Sequence, residues 1–208
     1  MKKLVGATSN PGKLREFRQM LAQLGFEIVA QSDLGITGTE EPHATFVENA
    51  LVKARHASRL ARLPAFADDS GICVAALGGE PGVHSARYAQ GGPDGAGREG
   101  QDAHNNRKLI SMLEGTSDRR AHYYCVIVLV RHAEDPEPLI AEGRWHGEVI
   151  AEARGSNGFG YDPYFHVPAL GRTAAELNAD EKNAISHRGQ ALKQLAARLL
   201  AEPGIASR

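Results

Sequence analysis

The stretch Leu63-Pro64-Ala65-Phe66-Ala67-Asp68-Asp69-Ser70-Gly71-Ile72-Cys73-Val74-Ala75-Ala76-Leu77 decides how this chain is read. Its apolar flanks, Leu63 to Ala67 and Ile72 to Leu77, have the length and composition of two buried strands. Between them, at the exit of a core strand, stand two adjacent carboxylates. Side by side they repel each other and lose hydration unless positive charge lies close. A structural Lys or Arg meets that need. So does a metal ion that carries a phosphorylated ligand.

Upstream, Lys3 to Thr8 predicts a first strand, and the loop Thr8-Ser9-Asn10-Pro11-Gly12-Lys13 opens a helix. Asn10 suits the N-cap and Pro11 the first helical position. Leu14, Phe17, Leu21 and Leu24 recur at helical spacing, Gly25 ends the helix, and a strand from Phe26 to Gln31 follows. Free backbone N–H groups and the helix dipole make such a start an anion site, and Lys13 adds a full charge. A capped helix with a solvated lysine reads the same way. The loop is not a Walker A motif: five residues separate Gly6 from Gly12, and Leu14 stands where Ser or Thr would reach magnesium.

Ser32 to Pro42 reads as irregular and carries Glu40-Glu41. A second amphipathic helix is predicted from about Ala44 to Arg62, with Val47, Leu51, Ala54, Ser58 and Ala61 as its apolar stripe. Asn49, Lys53 and His56 share another face. On periodicity alone Lys53 faces solvent and Glu40-Glu41 only solubilise a loop. Joined to Asp68 and Asp69, however, they make four hard carboxylates, more than one lysine neutralises. Such a set suits a magnesium ion that keeps several waters.

Downstream, Gly78 to Gly82 is a tight turn, and Val83-His84-Ser85-Ala86-Arg87-Tyr88 follows it. Gln90 to Gly100 is glycine-rich and reads as a mobile surface loop. Asp102 to Glu114 predicts a helix. Ala121 to Val130 is the strongest strand and belongs at the centre of a sheet. Leu139 to Glu142 and Arg144 to Ile150 are strand material, and a hairpin there makes the sheet mixed. In Phe159-Gly160-Tyr161-Asp162 the aromatics can stack on a base and the acid can accept from its edge; the same residues also serve as a loop anchor. Asn178 and Glu181 have capping-box spacing, followed by Lys182. Ser186-His187-Arg188-Gly189 interrupts the helical run before the stripe Leu192, Leu195, Leu199. Arg188 has the planar fork that suits bidentate recognition.

The 208 residues allow one large domain or two small lobes, and 42% hydrophobic with 24% charged residues is ordinary for a soluble globular chain. A formal net charge of -1 excludes a global basic field for non-specific nucleic-acid binding, so any anion site is local. Cys73 and Cys125 lie in apolar runs and read as buried free thiols of a reducing compartment. Zinc spacing and a G-x-S-x-G elbow are both missing. Met1 to Val5 runs straight into a strand, and no apolar run approaches the roughly 18 residues of a membrane span. The expectation is a cytoplasmic protein without a signal peptide.

Several stretches occur together and in order: Thr8-Ser9-Asn10-Pro11-Gly12-Lys13, Glu40-Glu41, Phe46-Val47-Glu48-Asn49-Ala50 with Lys53-Ala54, and Ala67-Asp68-Asp69-Ser70-Gly71. Pro81-Gly82-Val83-His84-Ser85-Ala86-Arg87-Tyr88, Phe159-Gly160-Tyr161-Asp162-Pro163 and Ser186-His187-Arg188 complete the set. With them the sequence resembles the Ham1/RdgB family of inosine/xanthosine triphosphate pyrophosphatases over nearly its whole length. The resemblance implies an α/β fold, a mixed twisted sheet with flanking helices. It implies one elongated domain of two lobes over residues 1–208, with the nucleotide in a central cleft, and a homodimer. It further implies magnesium-dependent cleavage of ITP, dITP and XTP to the monophosphate and pyrophosphate, which clears deaminated purines from the nucleotide pool.

By the same resemblance, Thr8, Ser9, Asn10, Pro11, Gly12 and Lys13 hold the triphosphate, with Lys53 on the phosphate side. Asp69 is the general base. Glu40, Glu41, Asp68 and Asp69 supply the magnesium ligands, and Ser70 contacts the substrate. Phe159, Gly160, Tyr161, Asp162, Lys182, His187 and Arg188 line the base and sugar pocket. The long Gln90 to Gly100 loop departs from the family pattern, in a place that bears on oligomer contacts more than on chemistry. Two other readings compete. A Maf-like pyrophosphatase of modified pyrimidines is opposed by the Ser-His-Arg and Phe-Gly-Tyr-Asp stretches. A non-catalytic nucleotide-binding module is opposed by the four acids, which repel a phosphate unless a metal intervenes.

Overall fold

In the computed structural model, residues 2–8, 10–22, 24–89 and 97–201 are described. The strand β1 (Lys2–Gly6) leads to the helix α1 (Pro11–Ala22), and the strand β2 (Phe26–Ala30) returns parallel to β1, Leu4 against Ile28. Asn10 caps α1 as its type predicts: its side-chain oxygen accepts from the N–H of Gly12 at 3.0 Å and of Lys13 at 3.3 Å. Phe17 and Leu21 are fully buried.

The helix α2 (Phe46–Ala61) is capped by Thr45, which accepts from Glu48 N–H. Its buried residues are Asn49, Ala50, Ala54, Ala57 and Ser58, so the inner face is turned from the predicted stripe. Val47, Leu51 and Ala61 are only partly buried. The small alanines let the helix approach the sheet, and Asn49 can be buried because hydrogen bonds satisfy its amide.

The sequence predicts two strands around Asp68-Asp69, but the structure has one, β3 (Ala65–Val74), running straight through the acidic pair. The carboxylates do not break it because each meets a lysine from a helix, as detailed below. Gly71 keeps the strand intact on its far side: a Cβ there would collide with the Gly82 carbonyl and the Ser85 side chain. The Ser85 hydroxyl accepts from Ile72 N–H at 2.9 Å.

The helix α3 (Gly97–Met112) starts five residues earlier than predicted, so Gly97 to Gly100 are helical, not loop; residues 90–96 lie outside the described residues. The strands β4 (Arg120–Val130) and β5 (Leu139–Val149) follow. β5 is continuous through Gly143, where the sequence suggested two pieces, and its alternating burial marks a strand with one covered face. Two short strands escaped the sequence reading, β6 (Phe165–Val167) and β7 (Arg172–Thr173). The helices α4 (Ala179–Ile185) and α5 (His187–Ala201) are separated by Ser186 alone, so His187, Arg188 and Gly189 begin α5 and do not interrupt it. Asn178 and Glu181 form the predicted capping box.

The sheet order is β2-β1-β3-β4-β5-β6-β7, with β4 in the middle as its composition predicts. Parallel pairing at β1 with β2 and β3, and antiparallel pairing of β6 with β5 and β7, make the sheet mixed. The chain divides into two compact units. The first comprises Met1–Asp69, Cys125–Glu142 and Gln190–Arg208; the second comprises Ser70–Tyr124 and Gly143–Gly189. Each has its own core. In the first, Leu4, Phe17, Phe66, Ile127, Leu129 and Leu195 pack together. In the second, Ile72, Leu109, Tyr123, Trp145 and Phe165 do so. Cys125 is buried, whereas Cys73 is only partly so, because its position on β3 faces away from the core. Among the described residues no helix is long and apolar enough to cross a membrane.

Candidate active site

Successive residues of a strand point to opposite faces. In the first unit, Asp68 and Asp69 of β3 therefore meet different lysines. Lys13 of α1 lies 2.6 Å from Asp68, and Lys53 of α2 lies 3.1 Å from Asp69. Lys53 is also 3.3 Å from Glu41. Both aspartates are buried. Burial pushes the Asp69 carboxyl up from its ordinary range, against the pull of Lys53. Burial also works against the Lys53 ammonium, but Asp69, Asp68 and Glu41 together outweigh it and leave that group raised. Lys53 thus does not face solvent, contrary to its periodicity. Glu40 is exposed.

Asn49 completes this set. Its side-chain NH2 donates to Asp69 at 3.5 Å and to the His43 carbonyl at 3.1 Å, while its oxygen accepts from His43 N–H at 3.0 Å. At the start of α1 the N–H of Asn10 is taken by the Thr8 hydroxyl at 3.2 Å, those of Gly12 and Lys13 by Asn10, and Pro11 has none. The expected free donors are therefore bound to protein oxygens, which a phosphate would have to replace. Ser9 lies outside the described residues.

Among the described residues no three acidic, His or Cys side chains form a ready-made metal cage. The donor chemistry nevertheless fits a hard cation: carboxylate oxygens of Glu41 and Asp69 already converge on one positive point, the Lys53 nitrogen. Magnesium needs only one or two carboxylates when it keeps its waters.

In the second unit Asp162 is the hub. It accepts from Phe159 N–H at 2.8 Å, from the Lys182 ammonium at 2.5 Å and from the Tyr123 hydroxyl at 3.2 Å. Tyr123 is buried, and burial with Asp162 beside it holds its phenol well above the ordinary value, so it stays a donor. The His187 ring stacks on Tyr123, centroids 4.7 Å apart and planes 10° from parallel. Arg188, only 5% exposed, reaches the Ser70 hydroxyl at 3.5 Å. Tyr161 turns inward and donates to the Ser85 carbonyl at 2.7 Å.

The Gly160 peptide is held at both ends by α3: its N–H donates to Asp102 and its carbonyl accepts from Asn106, each at 2.9 Å. Gly160 has φ 64, the left-handed region, which presents Phe159 outward at 38% exposure. Three cations surround that ring: Arg98 at 5.2 Å, Lys182 at 5.3 Å and Arg188 at 5.9 Å from its centroid. The second unit therefore gathers an exposed aromatic face, clustered cations and a hydroxyl, with Lys182 and the Phe159 N–H held by the buried Asp162.

Sequence reasoning did not single out Asp102, Asn106, Tyr123 or Arg98, and it noted Asn49 for the face it shares with Lys53 and within the Phe46 to Ala50 stretch, without assigning it a role. The four-residue spacing of Asp102 and Asn106 marked one helix face, but nothing local indicated that Gly160 is its partner.

A family model described as the Ham1 family matches residues 4–198. A dITP/XTP pyrophosphatase of Ralstonia nicotianae is 64% identical over 201 residues, covering 96% of this chain and 97% of that protein. One of Nitrosomonas europaea is 61% identical over 195 residues, covering 94% and 93%. The structure of a HAM1 protein from Coxiella burnetii is similar with TM-score 0.89 and 48% identity over 97% of this chain and 100% of that one. The Staphylococcus aureus Ham1 protein gives TM-score 0.83 and 38% identity over 96% and 99%. The family match over residues 4–198, with relatives above 60% identity across almost the entire length, establishes that this chain, whose β3 acids meet lysines from α1 and α2, belongs to the Ham1 family.

Proposed function

We propose that this protein hydrolyses the non-canonical purine nucleoside triphosphates ITP, dITP and XTP to the monophosphate and pyrophosphate. The observation that carries the reading is the Glu41–Lys53–Asp69 cluster, acids and a lysine meeting within 3.3 Å beside the Lys13–Asp68 pair. Relatives above 60% identity that are named dITP/XTP pyrophosphatases support it.

In this reading the first unit handles phosphate and water. Lys13, with Thr8 to Gly12, neutralises and holds the triphosphate, its oxygens replacing Asn10 and Thr8 as acceptors. Asp69 orients a water and takes its proton as that water attacks the α-phosphorus, and pyrophosphate leaves. Glu41 and Asp69, with Asp68 and Glu40, would hold magnesium directly or through water. When bound, the ion offsets negative charge that builds on the phosphate oxygens. Lys53 fixes the two carboxylates relative to each other.

The second unit reads the base. Phe159 offers a stacking face, and Lys182, His187, Arg188 and Ser70 face the base and sugar; Gly160, Tyr161 and Asp162 shape that loop. Inosine and xanthosine carry an oxygen at C6, where adenine has an amino group. The Arg188 guanidinium can only donate, so it favours that oxygen and leaves the adenine amine facing another donor. The two units act as lobes of one domain, and the enzyme works as a cytoplasmic homodimer. The test is pyrophosphate release from ITP, XTP, GTP, ATP and dTTP, with magnesium and with EDTA. Cleavage confined to ITP and XTP and lost in EDTA is expected. Equal rates on all five, or none, would reject the assignment.

A further inference from the structure

Asn49 is 0% exposed, and a buried amide with unmade hydrogen bonds is costly. Here both ends of the amide are used. One residue, His43, is gripped at two points, its N–H by the Asn49 oxygen and its carbonyl by the Asn49 NH2. The remaining NH2 direction meets the Asp69 oxygen opposite the one that faces Lys53. The amide cannot be flipped, because its oxygen would then face a carbonyl and a carboxylate. His43 follows Pro42, whose ring fixes its own backbone angle, so holding His43 restricts where Glu41 can stand. A closed ring of contacts results: Glu41 to Lys53, Lys53 to Asp69, Asp69 to Asn49, and Asn49 back to the segment that carries Glu41.

From this ring we infer that Asn49 is a positioning residue that sets the separation of the Glu41 and Asp69 carboxylates for one hard divalent cation. The inference rests on the pyrophosphatase reading above. A neutral amide suits the task better than another lysine. It orients Asp69 without neutralising it and leaves the charge for the cation. Partners that orient carboxylate ligands are typically worth 10- to 100-fold in metal affinity or activity.

The test is calorimetric titration of the nucleotide-free protein with magnesium alone, for wild type and Asn49→Ala, alongside amide exchange over residues 41–43. The variant is expected to bind magnesium roughly 10- to 100-fold more weakly and to exchange faster in that segment. Its KM for ITP at saturating magnesium stays within about 2-fold, since an orienting partner acts on the ion and not on the base. His43→Ala should titrate like wild type, because Asn49 holds only the backbone there. If Asn49→Ala does not fold, Asn49→Ser, smaller and still polar, takes its place. Unchanged magnesium affinity in a folded variant, or a lowered melting temperature as its only effect, would overturn the inference. Full turnover by Asp69→Asn would instead overturn the reading on which it rests.

Discussion

The Lys53 ammonium lies 3.1 Å from Asp69, and its nitrogen is also 3.3 Å from Glu41. One cation thus holds two carboxylates that come from a strand and from an irregular loop. The strand continues through the acidic pair because this charge, and that of Lys13 on the other face, offset the cost of burying Asp68 and Asp69.

Asp69→Asn keeps the shape of the side chain and removes its basicity. It should lower kcat about 10²–10⁴-fold. The circular dichroism spectrum should stay that of the wild type. Stopped assays with ITP decide this, and a wild-type rate would remove Asp69 from the base role.

Lys53→Met leaves Asp69 and Glu41 facing each other without the ammonium. Removing one member of a buried charge set costs roughly 3 kcal/mol. For a chain of this size that is about 6–12 °C in melting temperature. Added magnesium should recover part of the loss, because it restores positive charge at the same oxygens. A melting temperature unchanged from wild type would show that the carboxylates do not depend on Lys53.

Asp135 gives the clearest pH dependence. It is 1% exposed, and it accepts from the Arg131 side chain at 2.7 and 2.8 Å and from the N–H groups of Arg131 and Glu137. Burial opposes its ionised form, but these donors outweigh burial and hold its carboxyl well below the ordinary range. A depressed carboxylate stabilises the fold fully above its unfolded value, near 3.9. That contribution is lost as pH falls towards the folded value. Asp135→Asn should therefore destabilise at pH 7 by roughly 2 kcal/mol and flatten the acid limb of a melting-temperature profile. Parallel wild-type and variant profiles would contradict this.

Arg188→Ala removes a buried guanidinium beside Ser70. The ratio of kcat/KM for ITP over ATP should fall roughly 10- to 100-fold, the worth of a charged hydrogen bond. Arg188→Lys should not restore it, since an ammonium lacks the planar fork. An unchanged ratio would place base selection elsewhere.

Much of this was legible in the sequence because its signals are local. Asn10 caps α1, Asn178 and Glu181 form their box, and Leu192, Leu195 and Leu199 line the core face of α5. The apolar run from Ala121 to Val130 gave a strand at the centre of the sheet. What could not be read depends on partners distant in the chain. Asp68-Asp69 suggested a break in a strand because the lysines that neutralise them lie 55 and 16 residues away. The burial of Asn49, off the predicted apolar stripe, could not be read because its partners, His43 and Asp69, belong to a loop and a strand. The clamp of Asp102 and Asn106 on Gly160 spans more than 50 residues. Local pattern finds caps and stripes; it does not show which charge a fold will bring to another.

The central claim is tested most directly by incubating the protein with equimolar ITP and ATP and magnesium in one tube and following the products by phosphorus NMR. The account predicts IMP and pyrophosphate, with ATP left intact. Inosine diphosphate and orthophosphate, or ATP consumed as fast as ITP, would contradict it.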